Sequence, residues 1–215
     1  MAEDVFQSPK KRGKIAVFLS GRGSNFMAIH NAIQEGKINA EISLVFSNKE
    51  EAPGLNIARE RNLETLFLNP KLYSSREEYD KDITREVKKR DVDLIVLAGY
   101  MKILTPYFCD NFKHCIMNIH PALLPSFPGL HVQKKALDWG VKYSGATVHF
   151  VTADVDMGPV IIQAVVPILQ DDTEDTLSER ILKEEHKIYP EAVRLFFEGK
   201  VEVRGRRVYI REETK

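Results

Sequence analysis

The sequence has 215 residues, of which 43% are apolar and 29% charged, and 31 Lys plus Arg balance 31 Asp plus Glu. That length suits one substantial core, and a neutral balance argues against a protein built to coat nucleic acid or a membrane surface. No apolar run reaches the roughly 18 residues of a membrane helix, the N-terminus lacks a signal-peptide layout, and Cys109 and Cys115 have neither zinc nor redox spacing. A cytoplasmic location, two buried free thiols and no metal are therefore expected.

Residues 1–13 read as a flexible polar leader, with Lys10-Lys11-Arg12 as a solvated basic run. Lys14 to Ser20 is a short apolar run that predicts a buried strand. A turn, Gly21 to Asn25, precedes a helix from Phe26 that stops at Gly36. Ile42 to Ser47 predicts a second strand, Leu55 to Asn62 a short helix, and Thr65 to Leu68 a short strand. Arg76 to Arg90 predicts an amphipathic helix with Tyr79, Ile83 and Val87 on one side. Leu94 to Ala98 is the most apolar strand, and Thr105-Pro106 opens the next helix as cap and first turn. Cys115 to Ile119 is another strand. This alternation predicts a mostly parallel sheet with helices on both faces. The last third differs. Ala146 to Val151 and Val160 to Val166 are too close for a helical crossover and predict an antiparallel pair. A helix from the acidic stretch Asp171 to Asp175 runs to about Phe197, and Val201 to Ile210 predicts a surface hairpin around Gly205-Arg206.

Two segments carry chemistry. Strand, Gly21-x-Gly23-Ser24-Asn25, then helix places backbone N–H groups at a helix N-terminus, where anions bind. Phe26 stands where a dinucleotide fingerprint needs its third Gly, and no Gly-Lys-Ser/Thr follows, so the phosphate of a small molecule fits better. The bland alternative is a tight turn with Ser24 or Asn25 as helix cap. The second segment is Met117-Asn118-Ile119-His120-Pro121 at the end of a buried strand, with Asn118 and His120 on one side of it. A hydrogen-bonded core pair is the bland reading. Asp154 and Asp156, between the antiparallel strands, are carboxylates that can fold back to orient the histidine. Together these groups suit acyl transfer to an amine without a covalent intermediate.

Ser20-Gly-Arg-Gly-Ser-Asn25, Asn118-Ile-His-Pro-Ala-Leu-Leu-Pro125 and Val155-Asp-Met-Gly-Pro-Val160 together resemble phosphoribosylglycinamide formyltransferases, from about Lys14 to Phe197. The resemblance implies a formyltransferase domain over 14–215. Its fold would be a single-domain α/β fold with a mostly parallel seven-stranded twisted sheet and an antiparallel C-terminal portion. It implies 10-formyltetrahydrofolate as co-substrate and small-molecule partners, with the chain a monomer or homodimer. Carried over by position, Asn118, His120 and Asp156 are the catalytic trio, and Gly23, Ser24, Asn25 and Glu185 hold the acceptor. Arg76, the segment Met101, Lys102, Ile103, Leu104, Asn118 itself, and the loop Thr152, Ala153, Asp154 lie at the folate. Many relatives have Arg in place of Lys102. The resemblance also implies a cis Leu124–Pro125 peptide. Formyltetrahydrofolate hydrolase and methionyl-tRNA formyltransferase share the trio but normally carry an extra domain, which is not expected here. A non-catalytic nucleotide-binding regulator would need the glycine turn and not the trio.

Overall fold

A computed structural model describes residues 12–211 together with the two-residue strand β1 (Asp4–Val5). The chain continues through β2 (Gly13–Leu19), α1 (Ser24–Gln34), β3 (Ala40–Ser47), α2 (Pro53–Glu60) and β4 (Thr65–Phe67). After a short 3-10 turn come α3 (Arg76–Lys88), β5 (Leu94–Leu97), α4 (Pro106–Asn111), β6 (Ile116–His120) and α5 (Val132–Trp139). The last third holds β7 (Tyr143–Phe150), β8 (Val160–Pro167), α6 (Glu174–Phe197), β9 (Val201–Arg204) and β10 (Arg207–Ile210).

The main sheet has seven strands in the order β4-β3-β2-β5-β6-β7-β8. The pairs from β4 to β6 are parallel, whereas β7 runs antiparallel to β6 and β8 antiparallel to β7. This is the fold the sequence predicts.

Two cores sandwich the sheet, and alternation along β2 explains its continuous apolar run. Ile15, Val17 and Leu19 enter a core shared with α1, α2 and α6. Ala16 and Phe18 enter another shared with α3 and α4. Each side chain thus gains full burial, roughly 1.5–3 kcal/mol for a large apolar group. The second core takes Ile116 from β6 but no residue of β7 or β8. Beyond Ile116 that face of the sheet is polar and carries Asn118 and His120.

Local chemistry sets the helix ends. Thr105 accepts from Phe108 N–H with Pro106 in the first turn, as the sequence predicts. Thr173 and Thr176 form a reciprocal cap at the start of α6, beside Glu174 and Asp175. Helix α5 is absent from the sequence reading. It starts from His131 in the left-handed region with no side-chain cap, and buries only Val132 and Ala136. The Leu124–Pro125 peptide is cis.

Two expectations change. The terminal hairpin is not simply on the surface: Val201 and Val203 are in the first core and Glu202 is also buried. Of the leader, Asp4 and Val5 pair with Val203 and Glu202 in a small second sheet of order β1-β9-β10. Gly13 already belongs to β2. Lys10, Lys11 and the rest of 1–11 apart from Asp4 and Val5 lie outside the described residues.

Candidate active site

Strands β2 and β5 are neighbours, but their chain connections run to opposite sides of the sheet, so a crevice opens at their C-terminal ends. At β2 the chain leaves through Gly21 to Gly23. Gly23 has φ 79°, and a Cβ there would stand 3.2 Å from Gly54 Cα. Gly54 in turn donates its N–H to Gly21 O at 3.0 Å. Glycine at 23 therefore lets the turn lie flat against the start of α2. The first bond of α1 is Met27 N–H to Gly23 O, at 2.9 Å. The preceding N–H groups of Ser24 to Phe26 point out of the helix end without intrahelical partners. Neither Ser24 nor Asn25 caps the helix, because the N-cap is Gly23 and no side chain bonds there. Ser24 is exposed and Asn25 buried.

Asn25 donates to Glu185 Oε2 at 2.7 Å across a sequence separation of 160 residues. Burial pushes the Glu185 carboxyl up, and the bond from Asn25 offsets part of that. Asn25 Oδ1 is buried with no hydrogen-bond partner among the described residues. One turn further along α6, Tyr189 OH bridges Leu97 O and Met117 O at 3.1 and 2.9 Å. That contact fixes α6 against the strands that carry the site.

The chain leaves β5 through Gly99, whose carbonyl accepts Ser20 N–H at 3.0 Å. Met101 N–H donates to Ser20 Oγ at 2.8 Å, while Ser20 Oγ donates to Asn48 Oδ1 at 2.5 Å. Arg76 donates to Ile103 O at 2.8 Å. Met101 and Ile103 are 62% and 57% exposed, whereas Leu104 is buried in the second core. Lys102 is exposed.

On β6 and β7 the register sets Asn118 opposite His149 and His120 opposite Thr147, all four on the polar face. Asn118 Nδ2 lies 3.2 Å from His149 Nε2, and His149 Nδ1 lies 2.9 Å from Phe150 O. A carbonyl only accepts, so His149 carries its proton on Nδ1 and takes the Asn118 amide proton on Nε2. Burial lowers the His149 pKa, against a smaller upward pull from the Phe150 bond and Asp156. That agrees with a neutral ring. Asn118 keeps its second amide N–H for a ligand.

His120 is buried, with Nε2 donating to Phe127 O at 2.8 Å and Nδ1 3.5 Å from Asp156 Oδ2. Asp156 Oδ1 is 3.7 Å from His149 Nε2, and Oδ2 accepts Gly129 N–H at 2.8 Å. Asp156 has φ 55°, a left-handed conformation that Asp adopts more readily than most residues. Gly158 follows with no room for a side chain, since a Cβ would overlap Phe150 O at 1.7 Å. These two residues turn the loop back over the sheet face. The sequence leaves open whether Asp154 or Asp156 meets the histidine. The geometry brings Asp156 there, while Asp154 is exposed and supplies its backbone carbonyl to Thr152 Oγ1 at 3.1 Å.

Asn118, His120 and Asp156 therefore converge, and Asn25 and Glu185 touch. Arg76 meets the 101–104 segment. Thr152, Ala153 and Asp154 form the exposed tip of the loop that ends at Asp156. His149 and Ser20 are the polar residues missed as parts of this arrangement. A lone histidine in the apolar strand Ala146 to Val151 carries no signal of its own, and only the register sets it beside Asn118. Among the described residues no group of three or more His, Cys, Asp or Glu is placed to hold a metal ion.

A family model described as formyl transferase matches residues 13–193. The chain belongs to the formyl transferase family. It is 42% identical to the phosphoribosylglycinamide formyltransferase of Escherichia coli K12, over 88% of this chain and 89% of that protein. The glycinamide ribonucleotide transformylase 1 structure from Symbiobacterium toebii superimposes with a TM-score of 0.93 at 46% identity, covering 95% and 96% of the two chains. The chain is also 40% identical to the human trifunctional purine biosynthetic protein adenosine-3 over 97% of its own length. It spans only 21% of that protein, and 14% of its Drosophila melanogaster counterpart. A formyltetrahydrofolate deformylase from Pseudomonas syringae shares the formyl transferase fold, with a TM-score of 0.87 at 25% identity.

Proposed function

We propose that the chain transfers the formyl group of 10-formyltetrahydrofolate to the amine of 5-phosphoribosylglycinamide, releasing tetrahydrofolate, in cytoplasmic purine synthesis. The observation that carries this reading is the convergence of Asn118, His120 and Asp156 on one sheet face. Beside it, across the β2–β5 crevice, lies a helix N-terminus with open N–H groups.

The acceptor's phosphate suits the N–H groups of the glycine turn, where the α1 dipole favours negative charge. The Asn25–Glu185 pair lies behind that turn, and its carboxylate suits the donor groups of the same molecule. The flat faces of the donor's rings suit the exposed Met101 and Ile103, and the polar edge of its pterin suits the loop tip at Thr152 to Asp154. In the reaction the acceptor nitrogen bonds to the formyl carbon and the bond from that carbon to the folate nitrogen breaks. The amine's proton passes to the departing nitrogen. The free N–H of Asn118 and a protonated His120, its Nε2–H turned from Phe127 O to the substrate, stabilise the oxyanion, and His120, oriented by Asp156 through Nδ1, relays the proton. Holding both substrates in line supplies much of the acceleration.

The test is an absorbance assay of the folate with and without acceptor. Consumption of 10-formyltetrahydrofolate only when phosphoribosylglycinamide is present supports transfer. Equal consumption without it would assign a hydrolase instead.

A further inference from the structure

The segment between β5 and α4 exposes two large apolar side chains, Met101 and Ile103, while its backbone is tied down at three points. Ser20 Oγ takes Met101 N–H, and Arg76 holds Ile103 O. At the third point one oxygen, Asp80 Oδ2, accepts both Thr105 N–H and Thr105 Oγ1–H, each at 2.7 Å. The same Thr105 hydroxyl accepts Phe108 N–H at 3.4 Å as the cap of α4. Asp80 is 3% exposed, an unusual setting for a carboxylate. Arg76 and Asp80 stand four residues apart, one above the other on α3. One helix therefore grips both ends of the Ile103–Thr105 turn. Between that helix and the turn lies a cleft of about 240 Å³, lined in part by Tyr79, Asp80, Lys102 and Ile103.

Free, such a loop would bury its apolar side chains or fray. Held open, it presents a wall of Met101 and Ile103, with Lys102 between them, beside β6. A phosphate-bearing acceptor at the glycine turn does not need that wall, but a donor with a fused ring system does.

We propose that Asp80 is a positioning residue for the formyl donor, acting through Thr105 to hold the Met101–Leu104 wall open without touching either substrate. This rests on the functional reading above, in which that wall meets 10-formyltetrahydrofolate. Removing the grip costs donor binding and leaves the acceptor's site, built on α1 and α6, undisturbed.

The variants are Asp80→Ala, Thr105→Val and Thr105→Ser, with thermal melts to establish folding. Asp80→Ala and Thr105→Val raise the KM for 10-formyltetrahydrofolate by about tenfold, as expected for lost hydrogen bonds to a charged group. The KM for phosphoribosylglycinamide changes by less than about twofold, within what an untouched site shows. Thr105→Ser keeps the hydroxyl and restores the donor KM. Parallel rises for both substrates would overturn the proposal. So would a fall in kcat at unchanged donor KM, or a Thr105→Ser variant as poor as Thr105→Val. Should Asp80→Ala fail to fold, the Thr105 pair carries the same test. Should the parent not use these substrates, the functional reading fails by itself. Asp80 is then judged by amide hydrogen exchange: faster exchange at Thr105 in Asp80→Ala with unchanged β5 and β6 supports the grip, and unchanged exchange at Thr105 refutes it.

Discussion

The glycine turn and the polar face of β6 and β7 solve different problems with different materials. At the turn the groups on offer are backbone N–H donors, fixed by the path of the chain and by two glycines that let α1 and α2 approach. At the polar face they are side chains held by specific bonds: Asn118 by the His149 ring, His120 by the Phe127 carbonyl and the Asp156 carboxylate, Asp156 by Gly129 N–H. A site made of backbone tolerates side-chain replacement wherever glycine is not required. A site made of interlocked side chains fails when one member is removed.

The largest break in that contrast is expected at His120. His120→Ala keeps the fold and lowers turnover by about a hundredfold to ten-thousandfold, the span for general acid–base groups. Turnover within a few-fold of the parent would show that the polar face does no chemistry. Next comes the pair of aspartates. Asp156→Asn, which weakens the hold on His120, lowers kcat by about a hundredfold, the low end of that span. Asp154→Asn, whose side chain is exposed and does not meet His120, costs much less kcat than Asp156→Asn, any effect falling on the donor KM. Reversed effects would exchange the roles of the two residues.

At the turn the expectation is opposite in kind. Gly23→Ala puts a Cβ into the left-handed region, a cost of about 1–2 kcal/mol, and against Gly54 as well. It lowers the melting temperature and weakens acceptor binding together. Ser24→Ala, at an exposed position that caps nothing, shifts stability by less than about 0.5 kcal/mol. If isothermal titration finds Ser24→Ala the more harmful of the two to acceptor binding, the turn works through a side chain after all.

The smallest effect concerns Glu185. Its folded pKa is raised by burial, so above the ordinary value near 4.5 the unfolded chain sheds a proton that the folded chain keeps. Stability then falls as pH rises from about 4.5 to the raised folded pKa. Glu185→Gln accepts the same bond from Asn25 and removes that slope. Urea unfolding from pH 4 to 7 measures it, and the variant gains on the parent as pH rises. Parallel curves would mean that Glu185 titrates alike in both states.

The parallel half was legible because buried parallel strands are continuous apolar runs, and because Thr105-Pro106 and the acidic start of α6 announce helix ends. The eight-residue α5 was not, since it lacks a capping side chain and buries too little for a periodic pattern. The small sheet escaped for another reason: it joins Asp4–Val5 to β9, nearly two hundred positions apart in the chain. Within the site, Asn118 and His120 stood out as polar residues closing an apolar strand. His149 did not, because its meaning depends on which residue faces it across β6. Ser20 reads as the end of a strand, and its hydroxyl matters only once β2 and β5 are known to be neighbours.

The oxygen of Asp156 that faces His120 also accepts Gly129 N–H, and His120 in turn holds Phe127 O. The segment from Pro121 to His131 and the segment from Thr152 to Gly158 are thereby stitched through one carboxylate and one imidazole. Neither can open while the other stays shut without breaking a bond at the reacting centre. Release of either loop thus costs a bond held by the other, and would be read as faster amide exchange at Gly129 together with exposure of the histidine.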